Sequence, residues 1–170
     1  MHIRRASGRD AGVLSAISRD TFVETFGHLY APDDLAVHLD KAYRDDEYAS
    51  ALDELGCAAW LLEDDGGHAQ GYAFVGPCTL PHAEVVPGDL ELKRLYVRAA
   101  LQGGGWGGRL FAQALDWMQA NAPTALWLGV FSENEGAQRF YRRHGFDKVD
   151  EYLYAVGSAR DREFIFRRPA

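Results

Sequence analysis

The alternation of apolar and polar positions divides the chain into elements before any single motif does. It predicts a first strand at about residues 2–5 and a helix over roughly 8–25, with Val13, Leu14, Ile17 and Thr21 assigned to one side. Pro32 or a neighbour opens a second helical region, where Leu35, Leu39, Ala42 and Tyr43 share one face and Tyr48, Ala51, Leu52 and Leu55 another. Cys57–Leu62 and Gly71–Val75 read as a hairpin around Asp65-Gly66-Gly67, and a loop from Pro77 to Pro87 leads to the next strand. In that strand the alternation slips: Leu90 and Leu92 share one phase, Leu95 and Val97 the other. One extra residue near Lys93 and Arg94, a β-bulge, accounts for the slip. A strand that stops pairing there can offer free N–H and C=O groups to an extended ligand.

Downstream, Leu110, Phe111, Ala114, Leu115 and Met118 form a helical stripe that Pro123 closes beyond Asn121. Ala125–Phe131 is nearly continuously apolar and suits a buried parallel strand. Ser132-Glu133-Asn134-Glu135 has the capping-box pattern for a helix that Gly145 ends, and two strands at about 146–156 and 162–168 follow. The order β-α-α-β-β-β-α-β-α-β-β implies an α/β fold with a mixed, largely antiparallel sheet of about seven strands and about four helices.

Between the bulged strand and the stripe helix lies Gln102-Gly103-Gly104-Gly105-Trp106-Gly107-Gly108, with five glycines in six residues. Without Cβ atoms such a loop lets backbone N–H groups close on a ligand, and the helix behind it adds unpaired N–H groups and a positive dipole end. A phosphate or pyrophosphate is the natural guest. Gly103, Gly105 and Gly108 also satisfy the G-x-G-x-x-G dinucleotide fingerprint, but four residues separate the loop from Val97, and no carboxylate lies between Asp116 and Glu133. Arg109 and Leu110 after Gly108 exclude a P-loop, which needs Lys and Ser/Thr there.

Composition limits the class. The chain has 170 residues, is 47% hydrophobic and carries a formal charge of −7, with a pI near 5.3. These values fit one small enzyme domain over 1–170 and disfavour nucleic acid as a partner. No apolar run approaches a membrane span, and Met1-His2-Ile3-Arg4-Arg5 lacks a signal-peptide core, so a cytoplasmic location is expected. Cys57 and Cys78 fit reduced thiols, and no Cys/His spacing supports a metal site.

Gln102-x-x-Gly105-x-Gly107 after a bulged strand resembles the acyl-CoA pyrophosphate loop of the GNAT superfamily of N-acetyltransferases, written Q/R-x-x-G-x-G/A. Asn134-x-x-Ala137-x-x-Phe140-Tyr141, followed by Gly145-Phe146, is similar to that family's last-helix signature, in the family's order and spacing. The resemblance implies a V-shaped split between the fourth and fifth strands that takes the pantetheine arm of acetyl-CoA. It places the pyrophosphate on Gln102, Gly103, Gly104, Gly105, Trp106, Gly107 and Gly108. Leu95, Tyr96 and Val97 would offer backbone groups to pantetheine, Asn134 would bond it or cap the helix, and Phe140 and Tyr141 complete the cofactor side.

The family reaction is attack of an amine on the acetyl thioester. An alkylamine with pKa about 10 is only about one part in a thousand neutral at pH 7, so a base or a proton wire is needed. Glu91 lies on the bulged strand eleven residues before Gln102, the spacing of the catalytic glutamate in histone-type members; the alternative is a partner for Lys93 or Arg94. Other members use water chains, which would involve Glu84, His82 or Tyr96. Tyr141 matches the tyrosine that protonates the departing thiolate, or else it belongs to the core. Glu24, Asp33, Asp34, Asp40, Asp45, Asp46 and Glu47 either steer a cation or form a solvated helical face. Thr21-Phe22-Val23-Glu24-Thr25-Phe26-Gly27 with Tyr30 and Leu35 resembles the first helices of bacterial spermidine/spermine-type acetyltransferases. The expected partner is therefore a small cationic amine, with no membrane or nucleic acid and with a homodimer allowed. The alternatives are a CoA-binding sensor or scaffold without turnover, and an acetyltransferase of protein or peptide amines.

Overall fold

The computed structural model describes residues 1–122 and 124–170, so the expected stop at Pro123 lies outside the described residues. Strands β1 (His2–Arg5), β2 (Ala58–Glu63), β3 (Ala69–Pro77), β4 (Leu90–Val97), β5 (Ala125–Phe131), β6 (Asp147–Val156) and β7 (Ala159–Pro169) form one sheet in the order β1-β2-β3-β4-β5-β7-β6. Only β4 and β5 pair in parallel; every other neighbour is antiparallel. Helices α1 (Ala11–Phe26) and α3 (Asp45–Asp53) pack on one face through Leu14, Ile17, Tyr48, Leu61, Tyr72 and Phe74. On the other face α4 (Trp106–Asn121) and α5 (Glu135–Arg143) cover Leu90, Leu92, Leu126, Leu128 and Phe166. Among the described residues no helix is long and apolar enough to cross a membrane.

Several expectations need correction. The second helical region divides into α2 (Pro32–Ala42) and α3 among the described residues. The break falls at Tyr43 and Arg44, because the Ala42 and Tyr43 carbonyls accept bonds from Arg94 and Ser15 (2.7 and 2.6 Å), not from a following helical turn. Asp45, Asp46 and Glu47 then open α3 where its dipole favours anions. Val13 is exposed, since the buried side of α1 runs through Leu14, Ile17, Ser18, Thr21 and Phe22. Leu55 lies beyond the end of α3 and is fully exposed. The capping box at Ser132 does not form. Asn134 caps α5 instead, its Oδ1 accepting the Ala137 N–H at 3.0 Å. Gly145 (φ 82°) ends α5 as expected, with Phe146 N–H donating to Tyr141 O and Gly145 N–H to Arg142 O, a Schellman closure.

The loop between β3 and β4 is held by one buried carboxylate. Asp89 accepts bonds from Trp127 Nε1 (2.9 Å), Thr124 Oγ1 (2.5 Å), Ala125 N–H (3.1 Å) and Val86 N–H (3.2 Å). Burial alone would raise this carboxyl, but the hydrogen bonds outweigh burial and hold it below the ordinary carboxylate range. Asp89→Ala strands the buried Trp127 and Ala125 donors and is expected to cost about 2–3 kcal/mol, read as a lower denaturant midpoint at pH 7. Because the folded-state pKa is depressed, this contribution is present above the unfolded carboxylate pKa and is lost as pH falls through the folded value. The deficit of the variant should therefore shrink in acid. A midpoint unchanged at pH 7 would assign the loop's anchorage elsewhere.

Candidate active site

The predicted slip in β4 is present: β3–β4 pairing shifts between Phe74, opposite Arg94, and Val75, opposite Leu92, leaving Lys93 as the extra residue. Leu95 and Val97 thereby return to the α4 face that Leu90 and Leu92 already occupy. Past the bulge β4 and β5 part. Their parallel pairing covers only Leu90–Leu126, Glu91–Trp127 and Leu92–Leu128. Gly129 follows at once, at the apex of the split.

A cavity of about 320 Å³ opens there. From α5 it receives Asn134, Ala137 and Tyr141; from the opposite sheet face it receives Glu91, Tyr152, Asp161 and Glu163; Phe22, Phe26 and Tyr30 roof it from α1 and the loop beyond. Register explains the division of the sheet. Leu126, Leu128 and Phe166 face α4 and α5, whereas Trp127, Gly129, Phe131 and their β7 partners Arg167, Ile165 and Glu163 face the other way. The split therefore joins two compartments that an intact sheet would separate.

Of the residues expected at the site, the cavity brings together Glu91, Leu95, Tyr96, Asn134 and Tyr141. Glu91 is 8% exposed, and its Oε2 accepts from Lys93 Nζ (2.9 Å) and Thr79 N–H (3.0 Å), so its ion-pair partner is Lys93. Arg94 instead clips α2 and α3 to the sheet, donating to Tyr48 Oη at 2.6 Å and stacking over Tyr43. Tyr141 is buried beside Phe111 and Phe146, and burial pushes its phenol up, which keeps it protonated through the neutral range.

Val97 is buried in the core, and its carbonyl accepts from Gln102 Nε2 at 3.4 Å. The Phe140 ring packs on Phe111 with centroids 5.0 Å apart, away from the cavity lining. The glycine loop forms the rim. Gly103 and Gly105 have φ of 80° and 79° with open space where a Cβ would stand, and a Cβ on Gly107 would stand 3.8 Å from Val97 Cγ2. Trp106, Gly107 and Gly108 make the first turn of α4, whose N–H groups have no intrahelical partner. The loop thus fits a pyrophosphate, through free amides and absent side chains.

His82 and Glu84 do not line the cavity: the imidazole lies against Trp127, centroids 5.1 Å apart, and Glu84 pairs with Arg167 at 3.6 Å. The acidic residues of α1–α3 do not reach the cavity either. Glu24 binds Arg98, Asp34 binds Ser158, Asp40 binds Arg19 and Asp46 binds Arg44. The cavity's other acids are Asp161, bonded by the Tyr30 hydroxyl, and Glu163, bonded by the Tyr152 hydroxyl at 2.6 Å. Sequence reading missed both. Pairing of β7 with β5 and β6 brings them to the split.

A model of the acetyltransferase (GNAT) family matches residues 23–146, most of the chain, including both the glycine loop and α5. The chain belongs to this family. GNAT enzymes move an acetyl group from acetyl-CoA. Over 166 residues the chain is 32% identical to an uncharacterized N-acetyltransferase of the pepI 3′ region of Lactobacillus delbrueckii subsp. lactis, covering 98% of this chain and 95% of that one. It is 27% identical to an uncharacterized N-acetyltransferase of Mycobacterium bovis, covering 94% and 97%. Among solved structures, PaiA N-acetyltransferase of Thermoplasma acidophilum in complex with coenzyme A matches with a TM-score of 0.77 at 18% identity over 99% of this chain and 98% of that one. YncA of Salmonella typhimurium with acetyl-CoA matches with a TM-score of 0.73 at 21% identity over 99% and 93%. At those identities the likeness is one of fold, and it agrees with the seven-stranded GNAT sheet.

Proposed function

We propose that this acetyltransferase acts on a small cationic amine, with polyamines the favoured class, in the cytoplasm, where the free thiols Cys57 and Cys78 are at home. The observation that carries the reading is the meeting in one cavity of Asn134 and Tyr141, from the motif on α5, with the carboxylates Glu91, Asp161 and Glu163 from the opposite face. Bound acetyl-CoA supplies an activated thioester. The free amides of the 102–108 loop would hold its pyrophosphate, while Asn134 and the β4 backbone at Leu95, Tyr96 and Val97 would hold pantetheine. Tyr141 gives its proton to the departing sulfur, and Glu91 receives the ammonium proton directly or through water. A module that only bound CoA would need neither a phenol nor carboxylates there.

Thiol release from acetyl-CoA, measured against a panel of polyamines, amino acids, aminoglycosides and peptides, tests the reading. Turnover with polyamines is expected. CoA binding without release from any acceptor would make the chain a sensor or scaffold, and turnover only with peptides would shift the acceptor to protein amines.

Glu91→Gln is expected to lower kcat/KM at least about tenfold at neutral pH and to displace the acidic limb of its pH profile. The loss should narrow at high pH, where more amine is already neutral. A variant with the wild-type profile would return Glu91 to a structural ion pair with Lys93.

A further inference from the structure

The Glu91 carboxylate is an occupied group. Oε2 takes three contacts, from Thr79 N–H, Thr79 Oγ1 (3.4 Å) and Lys93 Nζ, and the Lys93 ammonium also donates to Thr79 Oγ1 at 3.0 Å. Its Oε2 is therefore already engaged by a cation and an amide. A second carboxylate faces the same cavity.

On β7, Glu163 stands opposite Phe131 of β5 and beside Tyr152 of β6. Its Oε2 lies where the split begins: a Cβ built on Gly129 would come within 2.9 Å of it and within 3.2 Å of Tyr152 Oη. Any larger residue at the apex would push the carboxylate away, so Gly129 makes its placement sterically allowed. The Tyr152 hydroxyl occupies one of its lone pairs, at 2.6 Å, and among the described residues no cation bonds it. The groups lining the cavity with Glu163 come from five directions. β4 contributes Glu91, Lys93, Arg94 and Tyr96; β6 contributes Tyr152 and Tyr154; its own strand contributes Asp161; the loop after α1 contributes Tyr30, and α5 contributes Tyr141. β5 adds no charge, only Gly129, Val130 and Phe131.

The geometry points to Glu163 as a second proton-accepting carboxylate of the acceptor site, lining the same cavity as Glu91. Burial, with Asp161 and Glu91 adding their negative charges, raises the Glu163 carboxyl above the ordinary range, against the opposing Tyr152 bond. A raised carboxylate is the better base near neutral pH. This inference rests on the amine reading above. In it an acceptor ammonium loses one proton to Glu163. The neutral nitrogen bonds the acetyl carbon as the C–S bond breaks, and Tyr141 protonates the sulfur. The second nitrogen proton restores the Tyr141 phenol, and Glu163 releases its proton to water.

The test uses Glu163→Gln and Tyr152→Phe in the full chain. Removing the Glu163 carboxylate should abolish the acidic limb of kcat/KM or move it down by about one pH unit, with at least a tenfold loss of rate. Tyr152→Phe removes a donor to the Glu163 anion and should move the limb the opposite way. Carbon NMR titration of the glutamate carboxyls without cofactor or amine gives a second reading: one raised carboxyl in wild type, lost in Glu163→Gln and raised further in Tyr152→Phe. A limb and a titration that both stay at wild-type positions in Glu163→Gln would overturn the proposal and leave Glu163 as a tie between β6 and β7. If no amine is acetylated at all, the amine reading fails, while the cofactor-free titration still decides whether the Glu163 carboxyl is raised. Should Glu163→Gln not fold, Tyr152→Phe reads the same carboxyl.

Discussion

Gly105→Val is expected to weaken CoA binding by at least about tenfold while the sheet and helices remain folded. Gly105 caps α4 in the left-handed region, at φ 79°. A β-branched residue there costs roughly 1–2 kcal/mol or more, and the chain relieves the strain by turning the peptide, which redirects the amides at the start of α4. An amide turned away leaves a phosphate charge unbonded, so a loss above tenfold follows. Gly107→Val separates strain from approach. Gly107 has no positive φ, and its added Cβ would make only an ordinary contact with Val97. Any loss there comes from a side chain filling the space that the ligand uses. Calorimetric titration of CoA checks both, alongside thermal melts. Wild-type affinity in both variants would reject the loop as the pyrophosphate site.

Tyr141→Phe should lower kcat by about 10²-fold or more with little change in CoA affinity. The ring keeps its contacts with Phe111 and Phe146, so packing at the split is preserved and only the phenolic proton is lost. Without it the departing sulfur leaves as a thiolate or waits for a water. Acceptors that are already neutral should show the same deficit, because the defect lies on the leaving-group side. That behaviour distinguishes Tyr141 from Glu91, whose loss should narrow as the amine deprotonates. An unaltered kcat across the pH range would make Tyr141 a core residue.

Local signals made much of this protein legible. The period-two slip at Lys93 located the bulge, since one inserted residue must exchange the faces of a strand. The glycine run located the loop that opens α4, and Gly145 the end of α5, because left-handed backbone leaves few residue choices. The break at Tyr43 was hidden, because carbonyls diverted to Ser15 and Arg94 belong to partners far along the chain. So was the cap at Asn134: Ser132 and Asn134 are both good caps, and the path of the chain leaving β5 chose between them. Val13 and Leu55 were placed by hydrophobicity alone, which does not register that α1 buries a partly polar face or where α3 stops.

The chain by itself determined the family, the strand order along the sequence and the motif positions Gln102, Asn134 and Tyr141, because each is written in residues close to one another. Tertiary structure alone decided what stands opposite Tyr141. Glu163 is 72 residues from Glu91, and only the insertion of β7 between β5 and β6 brings both to the split. Its proton affinity is likewise absent from the sequence, for it depends on burial and on charges from other strands, and those exist only once the sheet has closed.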